Sequence, residues 1–151
     1  MDPAGTAAEI AGRLGLRPLP GEGGLFRRTY ADAHSSAILY LLAGDDFSAL
    51  HRLPGPELWH FHAGSPLRLL LLHPDGGATS PQLDAEHCPQ LVVPGGVWQG
   101  AVSTGAWTLV GTTMAPAYRD EDLELGDRAQ LVASHPQDAA RILALTRTVD
   151  G

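Results

Sequence analysis

ELWHFHAG, residues 57–64, places one acid, two aromatics and two histidines within eight residues. As a β-strand it sends alternate side chains to opposite faces. Glu57, Trp59 and Phe61 then share one face, and Leu58, His60 and His62 share the other. Only one set can line an interior site. Inward histidines would make a His-x-His metal pair; an inward Glu57 would make a carboxylate site among aromatics.

On either side of this stretch the chain continues as short runs rich in Leu, aromatic and β-branched residues. LFRRTY (25–30), SAILYLLA (36–43), FSALHR (47–52), LRLLLL (67–72), PQLVV (89–93), VWQGAV (97–102) and WTLVGTTM (107–114) join ELWHFHA as strand candidates. Gly, Pro and Asp punctuate them at AGDD (43–46), LPGPE (53–57), HPDGGATS (73–80) and VPGG (93–96). This spacing predicts an all-β sandwich or barrel. Helical signals sit at the two ends. Thr6 and Glu9 form a capping box ahead of Ile10 and Leu14, and Gly15 stands at the stop, so a helix is expected over 7–14. Ser134 and Gln137 make a second box, with Ile142, Leu143 and Leu145 as its apolar side, for a helix over about 135–147. One domain over 1–151 with a β core over about 20–133 accounts for the whole chain.

The bulk numbers exclude several function classes. At 151 residues, 44% hydrophobic and 18% charged, the chain is long enough for one buried core without staples. A formal charge of −7 with ten scattered basic residues argues against nucleic acid as a partner. Cys88 is the single cysteine, so neither an intramolecular disulfide nor a cysteine zinc site forms. MDPAGTAAEI lacks the charges and apolar run of a signal peptide, and LRLLLL is too short for a bilayer. A cytoplasmic protein without a membrane partner is expected. The acidic run RDEDLELGD (119–127) lacks calcium-loop spacing and is expected to be a solvated strand edge. Asp122 and Glu124 share a parity there, which suggests a contact with the arginines of the first strand.

A wider constellation surrounds the opening stretch. His51 precedes Glu57 across a Pro-Gly-Pro turn, Glu57 leads to Gly64 by an E-x6-G spacing, and Pro94-Gly95-Gly96 is followed by Gln99. These elements resemble the two motifs of the cupins, G-x5-H-x-H-x(3,4)-E-x6-G and G-x5-P-x-G-x2-H-x3-N. The order of EGGLFRRTY (22–30), FSALHRL (47–53), ELWHFHAG, VVPGGVWQGA (92–101) and LVGTTMAPAYRDEDLEL (109–125) is similar to a small cupin family of unknown function, over about residues 8–135. Relatives there resemble sugar-nucleotide epimerases of the same jelly-roll class. The resemblance implies a cupin double-stranded β-helix, or jelly roll, with a short helix at each end, and a homodimer. The departures are specific. His51 stands one residue further from the glutamate than usual, Ala49 replaces the other histidine of the first motif, and Gln99 replaces the histidine of the second. Leu25 and Arg28 stand where Tyr and Glu are expected.

If Glu57 takes the cupin glutamate position it points inward with Trp59 and Phe61, and His60 and His62 face outward. No Gly or Pro between Leu58 and Ala63 marks a bulge that would change this. The expected catalytic pair is then His51 and Glu57. Gln99, Trp59, Phe61, Trp98, Tyr40, Arg27 (or its neighbour Arg28) and Tyr118 are the expected substrate contacts, with Tyr30 a further proton partner. A buried carboxylate beside an imidazole suits proton transfer next to a carbonyl, as in an isomerase, epimerase or cyclase acting on a small-molecule ligand without a cofactor. Three alternatives remain open, one of them a bare structural dimer that takes no ligand. A metal-dependent cupin oxygenase, lyase or decarboxylase would hold a divalent metal through His51, Glu57 and Gln99, and a non-catalytic cupin would only bind a metabolite.

Overall fold

In the computed structural model, which describes residues 5–147, the strand runs all form strands. In chain order these are β1 (Arg17–Pro18), β2 (Leu25–Ala31), β3 (Ser36–Ala43), β4 (Phe47–Arg52), β5 (Glu57–Gly64), β6 (Leu67–Leu72), β7 (Ala78–Thr79), β8 (Gln82–Leu83), β9 (Gln90–Val93), β10 (Trp98–Ser103), β11 (Trp107–Met114) and β12 (Glu124–Leu125). Two antiparallel sheets result. The first has the order β1-β2-β3-β11-β5-β9; the second has β12-β4-β10-β6-β7, with β8 also on β6. Neighbours in the sheets are mostly distant in sequence, as in a jelly roll.

Tyr40, Leu42, Trp59, Leu67, Leu69, Leu71 and Val110 fill the space between the sheets. The run LRLLLL is apolar on both faces for a reason. Leu67, Leu69 and Leu71 face this core, while Leu70 and Leu72 join Leu131, Ile142 and Leu145 of the C-terminal helices. The other outer face, at Leu41 and Trp107, is covered by Ile10 of helix α1 (Ala7–Leu14). That helix begins as expected, with the Glu9 amide donating to Thr6 Oγ1 at 3.2 Å, and stops at Gly15 with φ 68°.

The C-terminal helix differs from its expected course. Helix α2 (Arg128–Ser134) starts earlier, capped by Asp127, whose carboxylate accepts from the Gln130 amide at 3.0 Å. Ser134 is its last residue and not a cap. Pro136 forces the change: the residue before a proline is pushed out of the helical region, and His135 takes φ −132° and ψ 64°. A 3₁₀ turn (Pro136–Asp138) then leads into α3 (Ala139–Ala144), which buries Ile142 and leaves Leu143 half exposed. The acidic run does form an edge, as β12 on β4, but its contacts differ from expectation. Asp122 pairs with Arg119 and Glu124 with Arg52, and neither meets the first-strand arginines.

Three β-bulges shape the sheets. One sets Thr29 of β2 outside the pairing with β3, and one inserts an extra residue in β4 between Ser48 and His51 opposite β10. The third lies at His62 in β5, since Val110 pairs with Phe61 and Leu109 with Ala63. This corrects the expectation that β5 runs unbroken. Because the bulge follows Phe61, the alternation of Glu57, Trp59 and Phe61 is untouched. Among the described residues no helix is long and apolar enough to cross a membrane.

Candidate functional site

The bulge in β4 builds the site. Ser48 and His51 are three positions apart and would face opposite ways on a regular strand, yet here both point into the barrel. The same irregularity turns the Ala49 carbonyl toward His51 Nδ1, at 2.7 Å. A carbonyl can only accept, so Nδ1 carries the hydrogen and Nε2 faces the interior. Gly100 lies opposite the bulge, where an added Cβ would crowd Leu50 at 3.1 Å.

Nε2 of His51 meets two carboxylates. Glu57 Oε1 is 3.9 Å away, and Glu22 Oε1, from the turn before β2, is 3.7 Å away. Glu22 is held by Ser48 Oγ, which donates to Oε2 at 2.8 Å, and by the Ala49 amide, which donates to its carbonyl at 2.7 Å. Its turn can approach this closely because Gly23 and Gly24 follow, at φ 97° and 79°. A Cβ on Gly24 would strike the Tyr40 ring at 2.6 Å, and one on Gly23 would collide with Phe47 O and the Arg147 guanidinium. Arg147 itself donates to the Gly21 and Glu22 carbonyls and to Asp46.

Glu57 is fixed by a buried relay. Trp59 Nε1 donates to Gln99 Oε1 at 2.8 Å, and Gln99 Nε2 donates to Glu57 Oε1 at 3.0 Å. An indole nitrogen only donates, so the amide has one workable orientation. Strands β5 and β10, from different sheets, are thereby locked around one carboxylate.

Burial sets the electrostatics. It raises Glu22 above the usual carboxylate range; the Glu57 charge adds to this, while His51 and Ser48 oppose it. Burial alone would lower His51, but the Glu22 and Glu57 carboxylates outweigh it and raise the imidazole to about 9. At neutral pH the site is an imidazolium between two acids. It opens into a cavity of about 90 Å³ whose depth is lined by Glu22, Tyr40, His51, Glu57 and Trp59. Exposed Arg28 and Asp120 and half-buried Tyr118 form its rim. The Arg28 guanidinium lies 6.0 Å from the centre of the Tyr118 ring, and burial together with Asp120 pushes that phenol up to about 12.

His51, Glu57, Trp59, Tyr40 and Tyr118 thus meet at one cavity, as expected from sequence. Four other expected contacts do not reach it. Gln99 sits behind Glu57 with both amide atoms engaged, so it positions the carboxylate and is not free to bond a ligand. Phe61 packs into the core away from the cavity. Trp98 neighbours Gln99 on β10, must face the other way, and lies beneath Arg52 at 4.5 Å. Arg27 points outward to the Leu14 carbonyl, at 3.0 Å, and Arg28 takes the inward place. Tyr30 is 54% exposed and bonded to Asp32. His60 and His62 lie on the outer face, where His60 contacts Thr113 Oγ1 at 2.9 Å and Gln90 Nε2 at 3.0 Å. Cys88 is a free, half-buried thiol near the Gln90 carbonyl.

Glu22 is the residue that sequence reasoning missed. It opens the EGGLFRRTY element, and an acid followed by two glycines at the head of a strand was the available signal. The metal trio His51, Glu57 and Gln99 does not assemble, because the Gln99 oxygen already accepts from Trp59 and its NH₂ faces Glu57. Among the described residues no group of three or more His, Cys, Asp or Glu is arranged to hold a metal ion.

Comparison with known proteins fits this architecture. A family model described as "Cupin superfamily (DUF985)" matches residues 8–126. The chain belongs to this cupin family. The cupin is similar to protein SO0799 from Shewanella oneidensis, at 31% identity and a TM-score of 0.88, covering 96% of this chain and 99% of the other. A hypothetical protein from Leishmania major matches at 26% identity and a TM-score of 0.87, over 95% of this chain and all (100%) of that one. Oxalate decarboxylase from Bacillus subtilis shares the fold at a TM-score of 0.59 and 14% identity, over 90% of this chain and 38% of the enzyme. No curated protein matches the chain.

Proposed function

We propose that this cupin is a small-molecule isomerase, epimerase or cyclase that moves a proton beside a carbonyl. One observation carries the reading: a single imidazole held between two carboxylates at the floor of a cavity. The charged His51 donates its Nε2 proton to the carbonyl oxygen of the substrate. Glu22, a stronger base for being buried, takes the proton from the adjacent carbon, and the C–H electron pair passes to the enol. Reprotonation on carbon and return of the enol proton to His51 complete the cycle. Glu57, with Gln99 and Trp59 behind it, keeps the imidazole charged and oriented. A cavity of about 90 Å³ has room for only a small reacting molecule.

The test is solvent exchange. Small carbonyl compounds incubated with the protein in D₂O should lose their α-proton NMR signal, and His51→Gln or Glu22→Gln should slow this about 10²–10⁴-fold. Exchange at the uncatalysed rate with every compound would overturn the reading. A chelator should leave the rate unchanged; loss restored by a divalent metal would replace this mechanism with a metal-dependent one. The homodimer implied by the family is part of the proposal, with Tyr30 and Val92, 54% and 53% exposed on the outer face of the first sheet, as its seam. Sedimentation of Val92→Glu as a monomer against a dimeric parent supports that, and a monomeric parent rejects it.

A further inference from the structure

Among the described residues, Arg28 is the one arginine that lines the cavity. The bulge at Thr29 follows it on β2, and it faces inward opposite Ile38. Arg52, Arg119, Arg141 and Arg147 each hold a carboxylate, but no ion pair among the described residues involves Arg28. Its only close aromatic partner is Tyr118, across the rim. A guanidinium turned toward a cavity and ion-paired to no protein carboxylate presents a fork of N–H donors that matches a planar carboxylate. Tyr118, whose phenol keeps its proton throughout the physiological range, is a second donor at the same rim.

Size and charge narrow the class. The cavity of about 90 Å³ is smaller than the roughly 150 Å³ void that takes one benzene. Glu22, Glu57 and Asp120 also line it, so a doubly charged phosphate would meet three acids while a singly charged carboxylate is matched by Arg28. We infer that the cavity takes a small oxo or hydroxy monocarboxylate, its carboxylate held at the rim by Arg28 and Tyr118 and its reacting carbon turned to Glu22 and His51. This inference rests on the proton-transfer reading.

The experiment is ligand-observed NMR with pyruvate, 2-oxobutyrate and lactate beside their neutral amides, on the parent protein, Arg28→Gln and Arg28→Lys. Arg28 is exposed, so neither substitution disturbs the core. The acids should bind, the amides should bind about tenfold or more weakly, and Arg28→Gln should weaken the acids by about ten- to a hundredfold while leaving the amides unchanged. Arg28→Lys should recover part of the loss, and added salt should weaken the acids alone. Equal binding of acids and amides, indifference to Arg28→Gln, or no binding by any acid overturns the inference. Arg28-dependent acid binding without α-proton exchange supports the anchor and rejects the proton-transfer reading. Exchange on the acids that ignores Arg28→Gln rejects the anchor alone.

Discussion

His51 faces the interior from the second sheet and His62 faces outward from the first, and their environments drive them in opposite directions. His51 is 1% exposed, yet two carboxylates raise it to about 9. His62 lies on the outer face, where partial burial and the nearby His60 lower it. The motif-like pair is the chemically plain one, and the solitary histidine is the poised one. What decides is the charge within a few ångströms, and neither burial nor His-x-His spacing tells it in advance.

The largest effect should come from removing that charge. Glu22→Gln takes away both the base and one partner of His51, so α-proton exchange should fall by about 10²–10⁴. His60→Ala with His62→Ala should leave exchange within twofold of the parent. Equal losses in both would erase the distinction between the faces.

Stability against pH separates them further. The folded pKa of His51 is above its unfolded 6.5, so its contribution is fully present below about 6.5 and is lost as pH rises through about 9. The loss is of order 1–3 kcal/mol, and His51→Gln should remove it from a denaturation series taken between pH 6 and 10. His62, lowered, acts the other way: it costs stability as pH falls below 6.5. An alkaline slope that survives His51→Gln would assign it elsewhere.

The relay behind the inner face gives a smaller effect. Trp59→Phe keeps an aromatic side chain but removes the indole N–H, leaving the Gln99 oxygen without its donor beside a small void, at a cost of at least about 1–3 kcal/mol in urea unfolding. It should also lower the pKa of His51, read by NMR, as Glu57 loses its fixed support. Smallest of all, His62→Ala should change stability by less than about 0.5 kcal/mol.

Much of this was legible beforehand, and the failures have physical causes. The limits of SAILYLLA, FSALHR, LRLLLL and WTLVGTTM follow from composition and turn residues, and Glu57, Trp59 and His60 fall on the faces that strand alternation requires. Trp98 and Gln99 could not both face the cavity by that same alternation, so Trp98 was a misreading of a rule already in use. Arg27 and Arg28 offered alternation without an anchor to say which pointed in. The bulges left no trace in residue type, although the one in β4 is what brings Ser48 and His51 together. Glu22 belongs to a turn that its two following glycines mark, but the approach of that turn to His51 is purely tertiary.

The grip of Arg147 on that turn has a consequence for how the protein reaches its native state. Its guanidinium bonds the Glu22 carbonyl from 125 positions along the chain. Contacts of such separation are made late, since the chain must already be collapsed before the two segments meet. The Arg147 clasp is therefore among the last contacts of the barrel to close. A chain cut short before residue 147 would lose that clasp and leave Glu22 held by Ser48 and the Ala49 amide.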